Sequence, residues 1–181
     1  FQHVSASLWY LGQYGEGESV IASSIFKRYC AELPTPSLML DVGAHVGYYS
    51  LLARSHGCAT SSLEMDARTI SLYNLAQSIN GYSPGDGPMH WGFVGDSTSV
   101  FKSGEAKEEK GGPKKFEIDD LIPQDKDSGS LLYVKVDVEG GEGAALDSPG
   151  ARRALTTARF MYVEITLFSS SGGVCRSACD P

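Results

Sequence analysis

Two periods of apolar residue run through this chain, and each marks a different kind of element. In residues 18–33, Val20, Ile21, Ile25, Phe26, Tyr29 and Leu33 recur at helical spacing, which predicts an amphipathic helix. Pro34 and Pro36 stop it, because proline lacks the amide proton a helix interior needs. Residues 37–42 (SLMLDV) form a short apolar run ending at a glycine, the pattern of a buried strand. A tight loop over residues 43–47 then leads into a helix at 48–56, closed by Gly57. Residues 59–64 predict a second strand, and Asp66 is placed to cap a helix that runs to Ile79 and stops at Asn80-Gly81. A third strand lies within residues 89–94.

The second half is less regular. Residues 102–115 (KSGEAKEEKGGPKK) are charged, glycine-rich and aperiodic, which predicts a flexible solvated loop. Residues 116–122 read as a short strand or turn leading into another helix. Residues 131–138 (LLYVKVDV) are the clearest strand, and they end in acids and glycines. Residues 151–155 are helical in composition, residues 160–167 (FMYVEITL) form a fifth strand, and no pattern survives beyond Phe168. Strand–helix units joined by short connections imply parallel strands with right-handed crossovers, hence an α/β chain with a doubly wound, mostly parallel sheet.

Composition narrows this picture. A chain of 181 residues, 41% of them hydrophobic, suits a single domain large enough to bury its own core. A formal net charge of −7 argues against general nucleic-acid binding through phosphate neutralisation. The four cysteines form no Cys-x-x-Cys pair and the histidines show no zinc spacing, so no metal is expected. Cys30 and Cys58 read as core or near-surface thiols; Cys175 and Cys179 fall in the tail. No run approaches 18 apolar residues, so no membrane span is encoded. The compartment is unset, with the cytoplasm as default expectation.

Three stretches carry candidate chemistry. In DVGAHVGYY, a strand delivers Asp41, and Gly43 and Gly47 let the backbone turn into a helix whose free N–H groups attract an anionic group. Neither G-x-G-x-x-G nor a phosphate-binding loop with its lysine is present. Glu64 ends the second strand about twenty residues after Gly43, where such folds place a carboxylate on a ribose diol; the plainer reading is a surface acid at a strand end. Together these features point to an adenosine-containing cofactor. In VKVDVEGGEG, Lys135, Asp137 and Glu139 share a face if the strand continues. They form either an ion pair with a solvated loop or a group reaching into the ligand crevice.

In order and spacing, DVGAHVGYYSLLA, SLEMDARTISLYNLAQSIN, EIDDLI, VKVDVEGGEGAAL and YVEI resemble the FkbM group of S-adenosylmethionine-dependent methyltransferases over residues 16–167. The resemblance implies a Rossmann-like sheet of class I methyltransferase type and S-adenosylmethionine as cofactor. It implies that Gly43, Ala44 and Gly47 surround the methionine part, with Asp41 near its amino group. His45 stands where the family usually has Asn and keeps a hydrogen-bonding ring there. By the same resemblance Glu64 takes the ribose hydroxyls, Met65 packs on the adenine, and Asp96 meets the adenine amino group unless it only forms a turn. Asp137 lies near both the methionine end and the acceptor; Asp137, Glu139, Glu142 and His45 are the possible bases for a hydroxyl acceptor.

The expected reaction is therefore O-methylation of a sugar or small natural product, with a small-molecule or glycan acceptor and no nucleic acid. Residues 1–168 are expected to form the methyltransferase domain. The tail SSSGGVCRSACDP does not match the family, so the sheet is expected to lack its closing strands. Two other readings stand beside this one: a cofactor-binding domain without turnover, and an NAD-dependent oxidoreductase, which the absent third glycine disfavours.

Overall fold

The structure, a computed structural model, describes residues 16–30, 37–83, 85, 87–95, 112–124 and 130–165. Its elements follow in chain order as α1 (Glu16–Tyr29), β1 (Leu38–Val42), α2 (Tyr48–Ser55), β2 (Ala59–Glu64), α3 (Ala67–Ile79), β3 (Met89–Val94), β4 (Lys114–Phe116), β5 (Leu131–Val136), α4 (Glu142–Leu146), α5 (Arg152–Thr157) and β6 (Phe160–Val163). Short 3-10 turns at Ile118–Leu121 and Pro149–Ala151 join the later elements.

All six strands are parallel, in the order β4-β3-β2-β1-β5-β6. The chain therefore starts in the middle of the sheet, winds to one edge, and returns to lay β5 on the other side of β1. That reversal between β1 and β5 is the switch point of a doubly wound, Rossmann-like α/β sheet.

Alternation along the strands sends side chains to two cores. Leu38, Leu40 and Val42 of β1 join Leu63, Val94, Val134 and Val136 under α4, α5 and the Ile118 turn. Met39 and Tyr133 face the other way, into Ala22 and Phe26 of α1 and Tyr49 and Ala53 of α2. Phe26 meets Tyr133 edge-on at 5.2 Å between ring centres, which fixes α1 over β5. Asp66 caps α3 as its spacing suggests, accepting from the Arg68 N–H.

Three expectations need correction. Residues 114–115, read as flexible loop, belong to strand β4 on β3. Three residues with two exposed lysines carry no apolar alternation; they make a short charged edge strand of the kind that resists further pairing. No helix was expected at α4, because its five residues follow directly on Gly140-Gly141 and are too few to show a helical period. Finally, Cys30 and Cys58 are not free thiols. They form a disulfide across 28 residues, joining the end of α1 to the residue before β2, with both cysteines buried. Residues 166–181, with Cys175 and Cys179, lie outside the described residues.

A cross-link closing a loop of this length removes unfolded-state freedom equivalent to ~3.5 kcal/mol on the chain-entropy treatment. A Cys30→Ser/Cys58→Ser double variant should lose about that much in guanidinium unfolding at neutral pH, with an unchanged sheet by circular dichroism.

Candidate functional site

The loops after β1 and β5 separate at the switch point and leave a cavity of about 310 Å³. Its walls are Gly43–Val46 of the first loop, Tyr48 and Tyr49 of α2, Leu63–Met65 at the end of β2, Gly92–Val94 of β3, and Lys135 with Asp137–Glu139 at the end of β5. In an open parallel sheet this is where ligands bind.

The first loop has an unusual backbone. Gly43, His45 and Gly47 all have positive φ, at 80°, 53° and 76°. A β-carbon on Gly43 would fall 1.7 Å from the Asp137 carbonyl oxygen, and one on Gly47 would fall 2.1 Å from the Tyr73 ring. Both positions demand glycine for space as well as for conformation. His45 adopts the left-handed region without being glycine. Asn, Asp and His are the side chains that tolerate it best, which accounts for His standing in an Asn position.

Glu64 is buried, contrary to the surface-acid reading. Its Oε2 accepts from the His45 N–H at 2.8 Å, and its Oε1 accepts from the N–H groups of Met65 and Asp66 at 2.8 and 2.7 Å. The carboxylate is thus fixed in the cavity wall by three backbone donors. A carboxylate offers about four acceptor sites, so capacity for a ligand hydroxyl remains. Met65 sits beside it, half exposed, its carbonyl accepting from Trp91 Nε1 at 3.0 Å.

Beneath the loop, Asp41 is buried. Its Oδ2 accepts from the Ser50 hydroxyl at 2.6 Å and from the Ser50 N–H at 3.1 Å, while Oδ1 has no partner among the described residues. Burial pushes its carboxyl above the usual carboxylate range, although Lys135 and the Ser50 bonds pull the other way. Lys135 is itself buried and donates to Asp137 Oδ2 at 2.9 Å; its ammonium lies 5.4 Å from the centre of the Tyr49 ring. Desolvation opposes its charge, but the attraction of Asp41 and Asp137 wins and holds its pKa above the usual lysine value. The ion pair and the ligand crevice, alternatives from sequence, coincide here.

Glu139 lines the cavity mouth but does not share the strand face of Lys135 and Asp137. The strand ends at Val136, and Glu139 sits exposed on a left-handed turn at φ 54°. Glu142 is no candidate base. Its buried carboxylate accepts from the N–H groups of Val138 and Gly140 and staples the loop to the start of α4.

Among the residues named from sequence, Gly43, Ala44, His45, Glu64, Met65, Asp137 and Glu139 meet around one cavity. Asp41 and Gly47 support the loop from outside its lining. Asp96 lies outside the described residues. Sequence reasoning missed Gly92, Phe93 and Val94 as part of the wall. Their signal was positional only: the C-terminal end of a strand next to β2. Among the described residues no group of acids, histidines and cysteines could hold a metal ion, and no helix is long and apolar enough to cross a membrane.

No protein-family model and no curated protein matches the sequence. Solved structures with a similar chain trace include TehB from Haemophilus influenzae, at 11% identity and a TM-score of 0.49, covering 95% of this chain and 48% of that one. Precorrin-6y C5,15-methyltransferase from Geobacter metallireducens superimposes with 12% identity and a TM-score of 0.43, over 84% of this chain and 63% of the other. A SAM-dependent methyltransferase from Agrobacterium tumefaciens gives 17% identity and a TM-score of 0.36, over 48% and 26%. The chain spans less than two thirds of the length of each. At this level of similarity the chemistry has to be argued from the pocket itself.

Two outcomes test this geometry. His45→Asn should keep the melting temperature, whereas His45→Val, β-branched at positive φ, should lose ~1–2 kcal/mol in chemical unfolding. Lys135→Met should cost ~2–4 kcal/mol at pH 7, because it strands Asp41 and Asp137 without a counter-charge. The sign follows from Asp41, whose carboxyl burial already raises: with Lys135 gone its ionisation is penalised further, so the deficit should shrink as pH falls and Asp41 protonates.

Proposed function

We propose that this cavity binds S-adenosylmethionine and that the protein transfers the methyl group to a hydroxyl of a sugar or small natural product, as the resemblance to the FkbM group suggests. The observation that carries the reading is Glu64. It is a buried carboxylate at the end of β2, facing the switch-point cavity, with three backbone donors fixing it and acceptor capacity to spare.

The remaining residues fit the same ligand. The unpartnered Asp41 Oδ1 is a buried acceptor under the loop, suited to an ammonium group. Gly47 at the N-cap of α2 has no side chain to cap it and Asp41 takes the Ser50 N–H, so this helix N-terminus beside the cavity favours a carboxylate through its dipole. Met65, Phe93 and Val94 offer an apolar wall for a purine. Glu64, Asp137 and Glu139 outnumber the single lysine in the lining, an electrostatic balance that favours a cationic ligand and disfavours the pyrophosphate of NAD.

When bound, S-adenosylmethionine supplies a sulfonium methyl group that a nucleophilic oxygen can displace. The protein's own contribution is alignment, since charge disappears rather than develops along that displacement. Asp137, held rigid by Lys135, marks the boundary between cofactor and acceptor, and Tyr48 and Tyr49 close the cavity over it. Glu139 stands at the mouth, where an acceptor would enter.

Isothermal titration with S-adenosylmethionine should show saturable binding, and NAD should neither bind nor raise the melting temperature. Glu64→Gln should weaken S-adenosylmethionine by ~1–3 kcal/mol, typical for a lost charged acceptor. Unchanged affinity would remove Glu64 from the site, and stabilisation by NAD alone would overturn the reading. Binding without methyl release to any hydroxylated acceptor would leave a cofactor-binding domain.

A further inference from the structure

We propose that Glu164, at the exit of β6, is the catalytic base that takes the acceptor's proton, in an acceptor subsite between the ends of β5 and β6 and the first turn of α1. This rests on the methyl-transfer reading above and adds to it a residue that neither the cavity lining nor the first loop contains.

Register places Glu164. Lys135 pairs with Tyr162 and Val136 with Val163 across parallel strands, and the Glu164 N–H donates to the Val136 carbonyl at 2.9 Å. One residue further along, Glu164 stands beside Asp137. Successive side chains alternate between faces, so Tyr133, Lys135 and Asp137 on one strand and Phe160, Tyr162 and Glu164 on the other share the face that α1 covers. The Lys135–Asp137 contact and the packing of Tyr29 on Phe160 confirm that face for both strands.

The other carboxylates are engaged or displaced. Asp137 is tied to the buried Lys135 ammonium at 2.9 Å, which makes it a positioning group. Glu142 spends its oxygens on backbone N–H groups. Glu139 leaves the strand face on a left-handed turn after Val136. Glu164 has no salt bridge among the described residues and lies at the surface, reachable by an acceptor.

The charged and titratable groups around Glu164 are Asp137, Lys135 and Glu139 on and after β5, Tyr162 on its own strand, and Glu18 on α1. Desolvation and the like charge of Asp137 raise its carboxyl above the usual range, with Lys135 opposing and Glu139 and Glu18 adding to the rise. A carboxylate raised above its usual range accepts a hydroxyl proton more readily than an ordinary one. In the step itself, the acceptor oxygen forms a bond to the methyl carbon as the carbon–sulfur bond breaks. The bonding pair passes to sulfur, which becomes a neutral thioether, and the hydroxyl proton passes to the Glu164 carboxylate, which later loses it to water.

The test measures S-adenosylhomocysteine release with methyl glycosides of common hexoses as probe acceptors, beside calorimetric titration of S-adenosylmethionine. For Glu164→Gln we expect S-adenosylmethionine affinity within twofold of wild type and turnover at least ~100-fold lower, the scale of general-base catalysis. Wild-type turnover should rise with pH through the titration of Glu164, and the variant should lack that limb. Glu164→Asp should recover part of the rate. A Glu164→Gln rate within threefold of wild type, or an acid limb that survives in it, overturns the assignment. Wild-type protein that binds S-adenosylmethionine but releases no product with any probe also overturns it, leaving cofactor binding intact. Absence of binding overturns the earlier reading itself.

Discussion

The carbonyl oxygen of Asp137 occupies the space that a side chain at residue 43 would need, and most of the site follows from that contact. It brings the exits of β1 and β5 together at the backbone level, reinforced by the Asp137 N–H donating to the Val42 carbonyl at 2.9 Å. With the two exits in contact, the loop from Gly43 to Gly47 has to arch away from the sheet. Glu64 then catches the arch through the His45 N–H. The same approach sets Asp41 and Asp137 on either side of Lys135, so one buried ammonium serves two acids on neighbouring strands. A cavity with rigid walls is the outcome, before any ligand is considered.

Polar groups hold this end of the sheet as firmly as apolar ones hold its middle. Glu64 and Glu142 use the same device: a buried carboxylate accepting several backbone N–H groups of an irregular loop. Loops at strand ends have donors that no ladder satisfies, and a carboxylate can meet two or three at once. This arrangement commits Glu142 to structure. Glu64 differs because it is itself part of the cavity lining, which Glu142 is not.

How legible this was in the sequence depended on the range of the interactions involved. Strands β2 and β3 and helix α3 were read with their boundaries, because apolar period, glycine stops and the Asp66 cap are local signals. The glycine loop and Glu64 were legible because chain spacing alone places a strand-end acid beside the loop. Strand β4 was not, since its lysines owe their conformation to β3 and carry no pattern of their own. Nor could spacing reveal that Glu139 leaves the strand face or that Glu142 turns inwards, as both depend on backbone dihedrals after Val136. Glu164 lay in view within the YVEI motif, but its neighbourhood with Asp137 exists only once β5 and β6 are in register.

The Cys30–Cys58 bridge ties the fold to its surroundings. Structural disulfides persist in oxidising compartments, while the cytosolic glutathione and thioredoxin systems keep thiols reduced. Helix α1, which brings the charge of Glu18 to bear on Glu164, is anchored just past its last turn through this bond. A chain made in a reducing cytosol would hold α1 by packing alone. The same sequence would then hold α1 more loosely over β5 and β6 than the oxidised protein does, so the redox poise of its compartment becomes a property of the protein's working shape.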